Sequence, residues 1–424
     1  MEKRNIVLIT LDSLRADHCS FMGYKRKTTP FIDKLAKKGA YFQNAIAATL
    51  ATPLSMSSIF TGEYPPISNG TLDPRPWREF IKNKQTLPEI LSQKGYSTIG
   101  ITPNVYVSHY YGFDKGFKYF HDFLNEKTSR GLYSKILQKA FKSNRQGIFA
   151  TLRNLKNFLL KGEIFKPWES YYNLILEYIE KANKPIFLWI LLLDTHYPYL
   201  PPRKFRKYSS LFGALYSNWK VRKVDWRDRL SNTERNWLID SYDDSITYAD
   251  SFVKKLWNDL KDLDPIFIIH ADHGEAFGEH GVYGHDYVSL YEEHIHIPLV
   301  IYNADIKGKF ENPVSLISLG STILELIGEE NQFPHSSIFR SNQEWTISYV
   351  RGVGTAIRLK DWKFITGQKQ EDELYNLKED PYEKENLIDE HPKLAKELKT
   401  IAEKHMKHEE EKLRISKISK KLAN

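Results

Sequence analysis

The sequence predicts an α/β protein, with a large, mostly parallel sheet flanked by helices and a small C-terminal antiparallel α+β subdomain. The segment Asn5 to Leu11 is apolar on both alternations, as in a strand covered by helices on both faces. Comparable runs recur at Ile186–Leu193, Ile266–His270 and Pro298–Tyr302, separated by helical stretches such as Thr29–Lys38 and Leu87–Lys94. In such a sheet the functional site is expected at the carboxyl ends of the strands.

Residues 127–180 carry Lys and Arg at intervals and read as a basic amphipathic helical insertion packed on the sheet as a lid. From about residue 340 the pattern changes to short strands, WTISYV, GTAIRL and WKFIT, before ELYNLKEDPYEKENL. The expected division is therefore a catalytic unit over 1–335 and a small-sheet subdomain over 336–424, ending in a solvated Lys- and Glu-rich helix.

Composition narrows the function classes. With 41% hydrophobic and 13% aromatic residues, the 424-residue chain has ample material for a large core. The balance of 61 Lys and Arg against 53 Asp and Glu leaves +8, compatible with anionic substrates. No zinc-finger spacing, phosphate loop or RNA-binding aromatic signature accompanies that charge, so nucleic acid is not expected. Cys19 is the single cysteine, which rules out an intrachain disulfide. The start, MEKRNIVLITLD, fits a buried strand better than a signal peptide, and Ile186–Leu193 is far short of the ~20 residues of a membrane span. A soluble, cytoplasmic protein is the expectation.

Six of the 14 histidines fall between His270 and His296, in HADHGEAFGEHGVYGHDYVSLYEEHIH. A buried strand ending in Asp272-His273-Gly274 presents a carboxylate and an imidazole where the chain leaves the sheet, a natural metal-ligand position. Asp12 ends the first strand in the same way. Thr52, in ATPLSMSSIFTG, puts a hydroxyl at a helix start, where the helix field stabilises an alkoxide or a bound anion. Taken singly, each has an ordinary alternative. Asp12 and Asp272 could be caps or turn residues, His273 a satisfied core histidine, and Thr52 an N-cap before Pro53.

Together these segments resemble the sulfatase family of the alkaline-phosphatase superfamily over nearly the whole chain. NIVLITLDSLRADH looks like that family's first strand and metal aspartate, and TTPFIDKLAKKGAYFQNAIA like its following helix. TPLSMSSIFTGEYP resembles its nucleophile helix, LLDTHYPYLPP its substrate-histidine segment, and ADHGEAFGEHG its second metal motif. ELYNLKEDPYEKENL is similar to its C-terminal signature. The resemblance implies an alkaline-phosphatase-like fold and one divalent cation held by Asp12, Thr52, Asp272 and His273, with Thr52 as nucleophile. His196 would bind substrate or protonate the leaving group, His285 would stand where sulfatases place a lysine, and Asn104 would contact an anionic oxygen. The mixed carboxylate, hydroxyl and imidazole set favours Mn²⁺ or Zn²⁺ over Ca²⁺ or Mg²⁺. A second metal at Asp194, His196 and His285 matches the spacing of two-metal members poorly, so one metal is expected.

The chain departs from a sulfatase at several points. Formylglycine formation needs Cys or Ser in a C/S-x-P-S-R motif, and the aligned residues are Thr52-Pro53-Leu54-Ser55-Met56. The family's Gly-Lys-x-His segment should follow Gly95-Tyr96-Ser97-Thr98, where the chain reads Ile101-Thr102-Pro103-Asn104. Ser13 stands where a second metal aspartate is frequent. These departures favour phosphoester chemistry, on a phosphodiester or phosphonate ester, with a phospho-threonine intermediate. The alternatives are a sulfatase without formylglycine, a phosphoglycerol or phosphoethanolamine transferase, and a non-catalytic phospho-glycan binder. The expected partner is a small-molecule, glycan or lipid-headgroup ester; oligomeric state and peripheral membrane contact are left open.

Overall fold

The computed structural model describes residues 3–68, 71, 73–124, 166–221, 230–285, 289–341, 344–367 and 371–423. Eight strands among these form the main sheet: β1 (Ile6–Leu11), β2 (Ala40–Phe42), β3 (Ser97–Ile101), β4 (Tyr119–His121), β5 (Ile186–Leu192), β6 (Ile266–His270), β7 (Leu299–Tyr302) and β8 (Gly308–Phe310). Their order across the sheet is β8-β2-β7-β6-β1-β5-β3-β4. β1 is thus central, and every residue in it is buried, as its two-sided apolar pattern requires.

β1 runs parallel to both neighbours, with Leu11 opposite Leu192 of β5 and Thr10 opposite His270 of β6. Parallel strands in this register end on one edge of the sheet. Asp12, the 193–196 segment and Ala271-Asp272-His273 therefore leave together, although some 260 positions separate the first from the last.

Not every expected strand is parallel. β7 pairs antiparallel with both β6 and β2. The chain leaves β6 at the carboxyl edge and stays there through residues 271–298, so β7 starts at that edge and can only run back across the sheet.

Of the helices, α1 (Ile32–Lys38) and α2 (Thr52–Thr61) follow the first strands, and α3 (Leu87–Gln93) carries a full capping box from Thr86 and Glu89. α4 (Leu211–Val221) packs on α5 (Asn232–Leu260), a helix opened by the Ser231/Glu234 capping box. α5 also organises distant loops through buried carboxylates. Asp250 accepts from the backbone N–H groups of Phe31 and Ile32 at the start of α1, and Asp244 from those of Lys207, Tyr208 and Ser209. Within the basic helical insertion expected at 127–180, Tyr172–Lys181 is helical; residues 127–165 lie outside the described ones.

After the main sheet come β9 (Trp345–Val350), β10 (Gly354–Leu359), β11 (Trp362–Gly367) and β12 (Glu373–Asn376), paired antiparallel in sequence order, then α6 (Pro392–Ala423). α6 is more than a solvated tail. Ala395, Leu398 and Ala402 pack with Ile357, Phe364 and Leu374 as a second core. The two units are joined by a buried charge cluster, in which Lys363 pairs with Glu292 at 3.2 Å and Glu383 at 2.8 Å, and Arg358 with Glu292 at 3.2 Å.

Buried histidines make this packing sensitive to acid. Burial lowers the pKa of His294, bonded to Ser289 and Gly284, to about 4. Burial, then the charge of Lys412, lowers that of His405, between Tyr64 and Tyr349, to about 4 as well. A histidine with a depressed folded pKa contributes stability that is complete above the ordinary value of ~6.5 and lost as pH falls. Thermal unfolding followed between pH 6.5 and 4 should therefore shift to lower temperature as acid is added. His405→Asn should flatten that dependence by about one proton taken up on unfolding.

Candidate active site

The carboxyl edge of the sheet gathers a compact set of groups. Asp12, Asp272 and His273 are buried, and each offers a ligand atom lying within 4.8 Å of the others. His273 Nε2 is 3.6 Å from Asp272 Oδ2 and 3.9 Å from Asp12 Oδ1. Ligands ~2.0–2.6 Å from one ion span such separations. Asp272 Oδ2 is buried with no hydrogen-bond partner, and burial, then the Asp12 charge, pushes this carboxyl up to about 6. Two carboxylates and one imidazole around an orphaned oxygen fit a divalent cation.

The chain holds these groups by local backbone contacts. Ser13 takes a left-handed φ of 62°, which lets its N–H donate to Asp272 Oδ1 at 3.2 Å and its hydroxyl to Asp12 Oδ1 at 2.9 Å. Thr195 Oγ1 donates to the Asp12 carbonyl at 2.6 Å, tying β1 to the loop after β5. His273 Nδ1 donates to the Gly274 carbonyl at 2.9 Å, which leaves Nε2 to face the carboxylates. Gly274 is required by close approach, since a Cβ there would lie 2.1 Å from the Glu293 carbonyl oxygen.

Thr52 enters the same site from α2. The residue in the N-cap position is Ala51, with φ 106° and ψ 138° and no side-chain cap bond. Such a conformation is costly for a residue with a Cβ, by about 1–3 kcal/mol. Thr52 is thereby released from capping. Its Oγ1 donates to Asp12 Oδ2 at 3.2 Å and lies 3.3 Å from His273 Nε2. Asn104 also arrives here: its Nδ2 donates to Asp12 Oδ2 at 3.0 Å while its Oδ1 accepts from Tyr106 N.

Two histidines line the open side. The His285 ring lies 4.7 Å from that of His273 and 4.9 Å from that of His196. Burial opposes charge on His285, but the Glu275 carboxylate, bonded to its Nδ1 at 3.0 Å, and then Asp12 and Asp272 raise its pKa to about 9. His196 behaves oppositely: burial dominates and its pKa is lowered. The two rings thus have opposite charge preferences, His285 favouring the imidazolium and His196 the neutral form. His196 Nδ1 donates to the Tyr197 carbonyl, leaving Nε2 as the acceptor.

The structure also separates residues that the sequence groups. Of the six clustered histidines, His273 and His285 belong to the site. His270 bonds to Thr10 and Ala271, His280 to Glu293 and Glu383, His294 to Ser289 and Gly284, and His296 to Gln43. Asp194 is set among Glu169, Tyr171 and Tyr248, where burial, then the Glu169 charge, raises it to about 7. Among the described residues it joins no ligand cluster with His196 and His285. Met56, in the position of the sulfatase arginine, is buried in the core against Thr10. Sequence reasoning gave no role to Glu275, which orients His285; its signal was a carboxylate two residues beyond His273.

A family model described as Sulfatase matches residues 4–329. Iduronate 2-sulfatase of Mus musculus is 24% identical over 346 residues, 70% of this chain and 59% of that protein, so the chain spans about three fifths of that relative. A solved 2-O GAG sulfatase superposes with a TM-score of 0.72 at 16% identity, covering 97% of this chain and 94% of that one. The phosphonate monoester hydrolase of Agrobacterium radiobacter superposes at 0.70 with 15% identity over 96% of both chains. At these identities the solved structures speak for the fold. Among the described residues no helix is long and apolar enough to cross a membrane.

The different surroundings of Asp272 and His196 can be tested by elemental analysis of purified variants. Asp272→Ala should lose bound divalent metal and all activity. His196→Ala should keep its metal and lose a factor of about 10²–10⁴ in turnover. Metal loss in His196→Ala would place that residue among the ligands.

Proposed function

The chain belongs to the sulfatase family, and on that premise we propose that it is a metal-dependent hydrolase of phosphoester bonds, cleaving phosphodiesters or phosphonate esters through a covalent Thr52 intermediate. One observation carries this reading: the Thr52 hydroxyl, freed from capping by the strained Ala51, faces Asp12 and His273 at the head of α2. Asp12, Thr52, Asp272 and His273 would hold one divalent cation, with Mn²⁺ or Zn²⁺ suiting the donors better than Ca²⁺ or Mg²⁺. When bound, such an ion lowers the pKa of a coordinated hydroxyl and offsets charge on non-bridging oxygens.

The chain's own groups supply the rest. Thr52 Oγ1 forms the bond to phosphorus in line as the bond to the departing oxygen breaks, its proton passing to the Asp12 carboxylate to which it is hydrogen-bonded, and the helix start favours the negative charge that gathers there. The His285 imidazolium, held by Glu275, grips an anionic oxygen from the open side, as the lysine does in the family. Asn104 Nδ2 offers a neutral donor beside it. His196, beside the His285 ring, gives the departing oxygen its proton and takes one back from the water that later cleaves phospho-threonine, while His285 keeps its own.

Sulfate esters are the second reading, favoured by the family match itself. Against it, Thr52 cannot become formylglycine, so a sulfated threonine would lack the elimination that expels sulfate from a formylglycine hydrate. Met56 also replaces a cation with a core side chain. A diester carries one negative charge at its reacting centre and needs fewer cations than a phosphate monoester dianion.

A panel of p-nitrophenyl phosphate, bis-p-nitrophenyl phosphate, a phenylphosphonate ester and p-nitrophenyl sulfate, assayed with each metal, tests the proposal. The diester and phosphonate ester should turn over fastest, and Thr52→Ala should abolish the reaction. Metal-dependent sulfate release that survives in Thr52→Ala would overturn both the chemistry and the nucleophile.

A further inference from the structure

α4 is packed inside out. The residues it buries against the protein are small or polar, Gly213, Ala214, Ser217 and Asn218, at spacings that form one helix face. Gly213 lets α4 sit close on α5, since a Cβ there would meet Trp237 at 3.0 Å. The large apolar residues point the other way. Leu211 is 46%, Phe212 66% and Trp219 41% exposed, three of the seven large hydrophobic side chains exposed among the described residues. Phe212 and Tyr216 stack at 5.7 Å and Tyr216 continues to Trp219 at 5.9 Å; Phe212 and Tyr216 also rest edge-on against Trp237 of α5, which anchors the row of rings while Phe212 and Trp219 keep an exposed side. A helix that shows its apolar side to water is built for something that covers it.

The flanking charge says what that is. Arg203, Lys204 and Lys207 are exposed on the segment leading into α4, and the backbone of residues 207–209 is pinned to Asp244 of α5. Nearby acids are already engaged: Glu169 pairs with Lys204, Glu234 with Lys220 and Asp240 with Arg26. A second copy of the chain would have to bring two such cationic segments together in a self-complementary contact. Aromatic residues beside cations match the boundary of an anionic bilayer, where rings enter the headgroup layer and basic side chains meet lipid phosphates.

We propose that α4 is a membrane-contact helix, whose outward apolar face, with the exposed cations Arg203 and Lys207, docks the protein on an anionic phospholipid surface. The inner face of the helix links that surface to the site. Asn218 exchanges hydrogen bonds with both backbone groups of Tyr199, and the Tyr197 hydroxyl donates to the Asn218 carbonyl, immediately after His196. If the catalytic reading above is right, docking holds the His196 loop near esters borne by lipid headgroups; the docking itself rests only on α4 and the cationic segment before it.

Vesicle flotation tests it with phosphatidylcholine alone and with phosphatidylcholine mixed with phosphatidylglycerol. The protein should float with the mixed vesicles, weakly or not at all with the neutral ones, and less as salt is raised. The pair Phe212→Ser and Trp219→Ser, and separately Arg203→Glu with Lys207→Glu, should each cut binding at least about tenfold. Unchanged circular dichroism and unchanged turnover of bis-p-nitrophenyl phosphate would show that the variants are folded, and that docking and catalysis are separate readouts. Equal binding to neutral vesicles, binding that the variants leave intact, or self-association relieved by Phe212→Ser without vesicle binding would overturn the proposal. The last of these would assign the face to a second copy.

Discussion

Two carboxylates buried side by side at the carboxyl edge of an apolar sheet are the constraint on which the molecule is organised. Asp12 and Asp272 end neighbouring parallel strands, so the register that pairs β1 with β6 also forces two acids into one water-poor space. Isolated, such a pair would repel and resist ionisation. The surroundings answer with donors: the Ser13 amide and hydroxyl, the Asn104 amide and the Thr52 hydroxyl all point at these oxygens. Asp272 Oδ2 is still left without a hydrogen-bond partner. A divalent cation held there would supply the charge that hydrogen bonds do not.

Much of the remaining architecture holds that edge in place. α5 spends its buried aspartates on loops instead of on its own surface. Asp243 takes His18, Tyr24 and Arg26, which fixes the segment following Asp12, while Asp250 sets the start of α1. From the other side, the C-terminal sheet reaches the site through Lys363, fully buried between Glu292 and Glu383. The Glu383 carbonyl also receives His280 Nε2, so the C-terminal signature segment braces the loop that carries His285. Removing one partner of such a cluster leaves an uncompensated buried charge, which gives the brace its stiffness.

Against this rigid frame, strain and exposure are confined to a few places. Ala51 and Ser13 hold left-handed backbone immediately beside the proposed nucleophile and the first carboxylate. Both distortions serve to aim a hydroxyl or an N–H at the acidic pair. α4 gathers three of the seven large exposed apolar side chains among the described residues, and its inner polar face is what ties it to the loop after His196. Two of the seven left-handed non-glycine residues among the described ones, Ser13 and Ala51, thus lie directly beside the acidic pair.

The sequence by itself determined the sheet-forming runs, because strands buried on both faces must be apolar on both alternations, as Ile6–Ile9 and Ile186–Leu193 are. It also marked Asp12, Thr52, Asp272 and His273, since polar groups directly after such runs, or at a helix start, are conspicuous. Tertiary structure decided what distance along the chain hides. The direction of β7 followed from the chain remaining at one edge after β6, and the sorting of six histidines into two that face the acids and four that satisfy the core depended on their partners. The opposite charge preferences of His196 and His285 arose in the same way. Burial acts on both rings, but Glu275 stands beside one of them, and a carboxylate ten residues away acquires that meaning only when a turn brings it within 3.0 Å.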